Sequence, residues 1–121
     1  MNNILLVFLG GGVGSLARMG ISSIVISNFK SAFPFATLCS NVISCFVLAI
    51  TVAVFSEKLI ENPSLRMFVL VGFCGGFSTF STFSFETVEL IKSGNFMIAA
   101  ANILISVTVC IALIYFITKQ I

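Results

Sequence analysis

Charge is missing from most of this chain. No Asp, Glu, Lys or Arg occurs in residues 31–56, 67–85 or 93–118. A bilayer's hydrocarbon core takes about 20 helical residues per crossing, and inside it every backbone N–H and C=O must find a partner in the protein, which helices provide along their own length. With 121 residues, 59% hydrophobic and 8% charged, the sequence reads as an all-α integral membrane protein. It has room for about four crossings with short connections and none for a soluble domain, so residues 1–121 are expected to form a single transmembrane domain. The net charge of +2 comes from six basic and four acidic residues, and no basic cluster suited to nucleic acid occurs among them. Four cysteines, Cys39, Cys45, Cys74 and Cys110, contain no CxxC pair, and histidine is absent. A transition-metal site therefore has almost no candidate ligands, and each cysteine reads as a small core residue. MNN carries no cationic residue, and the first apolar run continues past an h-region, so the N-terminus is expected to be retained.

One stretch contradicts its apolar surroundings. GFCGGFSTFSTFSFE, Gly72 to Glu86, holds three glycines, then a hydroxyl-rich run from Ser78 to Ser84 interrupted by Phe80 and Phe83, then a carboxylate. Gly75 and Gly76 weaken a helix at mid-depth, where freed carbonyls need protein or a hydrated cavity as partners. A single straight helix from Arg66 to Lys92 would also measure about 39 Å, more than the roughly 30 Å core. Both features predict a third helix broken near Gly75 to Thr79. On a helix resuming after the break, Phe80 and Phe83 share one face.

The remaining crossings carry fewer polar residues. The first, roughly residues 4–26, has a GxxxG pair at Gly10 and Gly14 that suits close helix packing. It also has Arg18, about 22 Å along a helix from Asn3, either snorkelling or lining a wet, anion-collecting cavity. The second, roughly 35–55, begins after Pro34 and carries Thr37, Asn41 and Ser44 as one polar stripe. Between the second and third crossings, SEKLIENPSLR is a polar linker with Ser64 as a candidate cap. The third runs over 65–91. The fourth, roughly 96–117, repeats Asn102, Ser106 and Cys110 every four residues. One four-helix protomer has more polar stripes than it can bury and too little girth to enclose a pore, which points to an oligomer. Lys58, Arg66 and Lys119 fall on one side of the membrane and Lys30 and Lys92 on the other, too even a division for the positive-inside rule to fix an orientation.

Three blocks, GGGVGSLAR at Gly10 to Arg18, PFATLCSN at Pro34 to Asn41, and GFCGGFSTFSTFSFE at Gly72 to Glu86, resemble the signature blocks of the Fluc (CrcB) fluoride channel family. The resemblance implies a fluoride-selective passive channel in a prokaryotic cell (inner) membrane, built as an antiparallel, dual-topology homodimer with a central structural sodium ion, that lets fluoride leave the cell. It places Phe80 and Phe83 at ring-edge fluoride contacts, Asn41 in the pore, Ser81, Thr82, Thr37 and Ser106 among the polar groups of the pathway, and Arg18 and Glu86 near its ends. It assigns the backbone carbonyls of Gly75 and Ser78 to the sodium ion. Ser78 stands where the family often has Thr, Ala36 where it usually has Gly, and Cys110 where relatives often carry a hydroxyl. The physics is compatible: a phenyl edge is electropositive, and hydroxyl and amide donors can replace an anion's hydration. A small multidrug-resistance-type proton-coupled transporter has a similar length but needs a carboxylate in its first helix, where this chain has only Arg18. A noncatalytic membrane assembly subunit, its polar stripes serving as glue, is the third alternative.

Overall fold

A computed structural model describes residues 2–119. Four helical crossings account for nearly all of them, and no strand occurs among the described residues. The first, α1 (Asn3–Asn28), starts where the Asn2 side chain accepts a hydrogen bond from the Ile4 N–H at 2.8 Å, satisfying one of the donors that every helix start leaves free. The second, α2 (Phe35–Glu61), passes through a kink at Phe55 (φ −114°, ψ 24°) and continues beyond the apolar run into the polar segment. The expected linker therefore shrinks to Asn62. Pro63 takes the first position of α3 (Pro63–Arg66), so the cap is Asn62, whose Oδ1 accepts from Leu65 N at 3.2 Å, and not Ser64.

The third crossing is assembled from pieces. After α3 the chain is π-helical over Met67–Cys74 and returns to α geometry in α4 (Gly75–Phe77). It then runs extended through Ser78 (φ −82°, ψ 157°) and Thr79 (φ −149°, ψ 114°) before α5 (Phe80–Lys92). The interruption thus lies at the far end of the expected window, and its cause is not glycine flexibility. Gly75 is helical (φ −64°, ψ −36°), and two other glycines are required by proximity. A Cβ on Gly72 would sit 3.1 Å from Gly10 Cα, and one on Gly76 would sit 2.4 Å from the Gly11 carbonyl oxygen. Reciprocally, a Cβ on Gly14 would lie 2.2 Å from the Phe73 oxygen. The first crossing and the π-helical stretch therefore pack backbone to backbone, as small residues allow. A turn at Gly94 (φ 85°) leads to the fourth crossing, α6 (Phe96–Thr118).

Large apolar side chains such as Phe8, Leu16, Leu104 and Ile111 point outward, which is the arrangement expected where the solvent is lipid. The interior holds small and polar groups instead: Ser40, Ser44, Ala49, Ala99, Asn102 and Ser106 are all buried. The molecule is a multi-pass membrane protein whose inner surfaces were selected for fit and hydrogen bonding.

Candidate functional site

The polar stripe of α2 is spent on the third crossing. Thr37 Oγ1 donates to Glu86 Oε1, Asn41 engages Thr79, and Ser44 Oγ donates to the Cys74 carbonyl at 3.0 Å. As the α2 residues ascend in number their partners descend, so the two segments run antiparallel with the stripe as their seam. Asn41 is the central rivet. Its Oδ1 accepts from Thr79 N at 2.8 Å and its Nδ2 donates to Thr79 O at 3.4 Å, so one side chain replaces both helical bonds that Thr79 lacks. The interruption is stabilised further from its two ends. Thr79 Oγ1 caps α5 by accepting from Thr82 N at 3.2 Å, while the Ser78 hydroxyl (2.9 Å) and amide (3.1 Å) both donate to the Cys74 carbonyl.

Arg18 is the other fastener. Its Nε donates to the Gly76 carbonyl at 3.2 Å, one of the acceptors orphaned by the break. To the two readings left open for this residue, snorkelling or a wet cavity, the structure adds a role: its Nε braces the end of α4. Burying a carbonyl without a donor costs about 1–3 kcal/mol, which makes an Arg at this depth intelligible without any ligand.

Beside the break lies a cavity of about 290 Å³, lined by Asn41, Ser78, Thr79, Phe80, Phe83 and Ser106 among others, with Cys45 and Cys110. Phe80 and Phe83 stack their rings along one face, centroids 5.7 Å apart and planes tilted by 45°. They differ in cover: Phe83 is 8% exposed and Phe80 77%. Phe85, two residues on, points away and is 66% exposed. Asn41 brings to this cavity an amide with two hydrogens, of which the long contact to Thr79 O uses one. Ser106 is tied into a relay in which its Oγ donates to Asn102 Oδ1 (3.2 Å), Asn102 Nδ2 donates to Thr87 Oγ1 (2.9 Å), and Thr87 Oγ1 donates to the Phe83 carbonyl (2.8 Å). That relay fixes α6 against the turn of α5 that carries Phe83.

The structure does not gather every residue singled out in the sequence. Glu86 lines a second, larger recess of about 510 Å³ with Phe29, Pro34, Phe35 and Glu89, and Thr37 stands behind it, buried and bonded to Glu86 without lining either space. Ser81 is exposed, with its hydroxyl 3.4 Å from Thr79 Oγ1, and Thr82 is half-buried; neither lines the cavity of the single chain. Sequence reasoning missed the roles of two participants and the partner of a third. Cys45 carried no signal beyond its position four residues after Asn41. Thr87 lies four residues after Phe83, a spacing that marks a shared helix face. Asn102 was visible as part of a stripe, but its partner was not.

The family described as CrcB-like protein, Camphor Resistance (CrcB), matches residues 5–117. A protein of Coxiella burnetii named fluoride-specific ion channel FluC is 42% identical over 111 residues, covering 91% of this chain and 90% of that one. A protein of the same name from Solibacter usitatus is 40% identical over 112 residues, covering 93% and 92%, and one from Shewanella is 40% identical over 115 residues, covering 95% and 92%.

Proposed function

The chain belongs to the CrcB-like family, and we propose that it is a passive fluoride channel of the inner membrane, working as an antiparallel pair of identical subunits. One observation carries this reading. Two phenyl rings, an amide with a spare donor and a hydroxyl converge on a single cavity beside a helix break, with no charged residue on its wall. Such a lining suits a small, strongly hydrated anion. Ring edges present positive charge, the Asn41 amide supplies a directional donor, and the absence of a fixed cation keeps the anion from being trapped. Ser106 joins as a donor when its hydrogen turns from Asn102 toward the cavity. Ser81 and Thr82 extend the hydroxyl surface on the exposed side of Phe80, and Glu86, held by the Thr37 hydroxyl, shapes the recess at one end. Arg18 serves by holding the break. The carboxylate that a proton-coupled drug pump needs is missing from α1, whose only charged residue is Arg18.

The break also offers a cation site. Among the described residues no hydrogen bond reaches the carbonyl of Gly75 or of Ser78, so two hard oxygens stand unclaimed, the donor type that sodium prefers. In this reading Gly75 and Ser78 hold a structural sodium ion, whose positive charge would favour anions nearby. A second copy supplies what one chain lacks. Gly75 is exposed, and a Cβ built on it meets nothing within 4 Å, which leaves room for a partner to cross there in this reading. The open side of Phe80 asks for the same cover.

Passive fluoride efflux from potassium fluoride-loaded liposomes, released by a potassium ionophore and followed with a fluoride electrode, is the direct test. Efflux that needs no pH gradient is the expected result. Drug-dependent proton movement without fluoride flux would overturn the reading in favour of a pump, and neither activity would favour an assembly subunit. Gly75→Val tests the partner: the variant is expected to fold as a helical chain but to elute as a single subunit. If it remains dimeric and active, the crossing point lies elsewhere.

A further inference from the structure

The relay behind the cavity wall has a fixed direction. Helical spacing sets two of its links, since Thr87 follows Phe83 by four residues on α5 and Ser106 follows Asn102 by four on α6; the bond between Thr87 and Asn102 joins the two helices. The relay ends on the Phe83 carbonyl, which can only accept. The Thr87 Oγ1 lies 2.8 Å from that carbonyl oxygen, and two oxygens so close repel unless a hydrogen lies between them. Thr87 therefore spends its one hydrogen there and offers Asn102 only lone pairs. Asn102 answers with Nδ2 at 2.9 Å, which turns its Oδ1 toward Ser106, and Ser106 must donate, at 3.2 Å. A single acceptor on α5 thus decides, through three side chains, that the Ser106 hydrogen points away from the cavity that Ser106 lines. At rest this hydroxyl shows an anion its lone pairs.

We propose that Asn102 and Thr87 are positioning residues for anion selectivity, acting by competition with the permeating ion for the Ser106 hydrogen. This inference rests on the channel reading above and adds to it a reason for preferring fluoride to larger halides. Releasing the hydrogen leaves Asn102 Oδ1 without its donor. Asn102, Ser106 and Thr87 are all buried, Asn102 to 1% exposure, and a buried acceptor has no water to turn to. Turning the Asn102 amide over offers no escape, because its oxygen would then face the lone pairs of Thr87.

The anion itself must therefore offset that loss, through its own bond to the hydroxyl. Electrostatic attraction weakens with separation. Fluoride, the smallest halide, brings its charge closest to the hydrogen and draws it out of the relay. Chloride carries the same charge at a greater radius, leaves the hydrogen with Asn102, and meets the Ser106 lone pairs. The relay thus discriminates between ions of equal charge by their strength as hydrogen-bond acceptors, a difference of affinities achieved by making the weaker acceptor lose a contest.

Efflux from liposomes loaded with potassium fluoride or potassium chloride, released by a potassium ionophore and read with the matching electrode, gives a fluoride-to-chloride ratio for the full-length protein and each variant. Thr87→Val removes the hydroxyl and keeps the shape. The Asn102 amide is then free to turn over and donate Nδ2 to Ser106 Oγ, which leaves the Ser106 hydrogen to whichever anion arrives. The ratio should fall about tenfold, chiefly through faster chloride efflux. Asn102→Leu deletes the competing acceptor and should move the ratio the same way; it carries the test should Thr87→Val fail to elute as a single symmetric peak. Thr87→Ser restores the hydroxyl and should bring the ratio back to within about twofold of the parent. The Ser106→Ala background separates positioning from packing. With no hydroxyl to compete for, adding Thr87→Val should leave the ratio where Ser106→Ala alone puts it. A further fall there would assign Thr87 to the packing of Phe83 and overturn the proposal. Ratios equal to the parent's in Thr87→Val and Asn102→Leu, from a parent that does pass fluoride, overturn the selectivity relay alone. A parent that passes no fluoride overturns the channel reading, and the relay's role with it.

Discussion

The third crossing has two flanks, and they are built on opposite rules. Toward α1 it is sealed: Gly10, Gly14, Gly72 and Gly76 let two backbones touch, and Cβ atoms placed on any of them would fall within 2.2 to 3.1 Å of main-chain atoms. Toward α2 and α6 it is propped open by Asn41, Ser44 and the Asn102–Thr87 relay, leaving a cavity of about 290 Å³. Small and polar residues occur on both flanks, so composition does not separate them. What separates them is where the hydrogen bonds go. On the sealed flank, apart from the Arg18 bond to the Gly76 carbonyl, the helices satisfy themselves and meet by shape; on the open flank side chains stand in for missing helical bonds, and the space they hold apart is where a ligand can fit.

The sealed flank should break most completely. Gly14→Val places its Cβ into the Phe73 carbonyl, 2.2 Å away, and since backbone cannot swing aside as a side chain can, the cost should exceed about 4 kcal/mol. No monodisperse protein is expected on gel filtration. Gly12→Ala is the matched control. A Cβ at Gly12 meets nothing within 4 Å, so replacing glycine in that helix should stabilise by about 0.5–1 kcal/mol, seen as a raised melting temperature. Equal behaviour of the two variants would show that α1 does not lie against the π-helical stretch.

On the open flank the expected losses are of flux. Phe83→Ile and Phe80→Ile keep apolar bulk and remove the electropositive edge; a contact worth ~1.4 kcal/mol corresponds to about a tenfold fall in rate. Phe85→Ile, on the outward face, should change efflux by less than twofold. Dimeric protein with the reverse ranking would place the conducting face on the other side of α5. Asn41→Asp combines two effects. Its carboxylate still accepts from Thr79 N, yet when ionised it has lost the donor hydrogens and adds a charge that repels an anion. Efflux should fall further than for either phenylalanine variant, with the melting temperature moving less than the flux.

A subtler change lies at the join between the flanks. Arg18→Met removes the Nε donor from the Gly76 carbonyl while keeping an apolar stem of similar reach. Leaving that carbonyl unpaired should cost about 1–3 kcal/mol, measured as a lower denaturation midpoint, and should loosen hydrogen exchange around Ser78 and Thr79 before it affects α6. Unaltered exchange there would mean that Arg18 does not brace the break. The smallest effect is expected from Ser81→Ala. Ser81 is exposed and makes only a 3.4 Å contact to Thr79 Oγ1, so stability should stay within about 0.5 kcal/mol.

The sequence by itself determined the membrane class, the number of crossings and an interruption of the third, because charge-free length and mid-membrane polarity are local properties that no tertiary arrangement can undo. It also placed Phe80 with Phe83 and Asn41 with Thr37 and Ser44 on common faces, since helical periodicity acts at short range. It misjudged the origin of the break. Gly75 and Gly76 looked like the weak point, but intrinsic propensity yielded to contact: Gly76 is helical because α1 lies against it, and the chain opens instead at Ser78 and Thr79, where Asn41 offers replacement bonds from thirty-eight residues away. Arg18 was legible as deep and in need of a partner, yet which acceptor it would find depended on the break it braces. The meeting of Asn102 with Thr87 left no mark in the linear spacing. That pair joins residues on different helices, and only the packing of α5 against α6 brings them within reach.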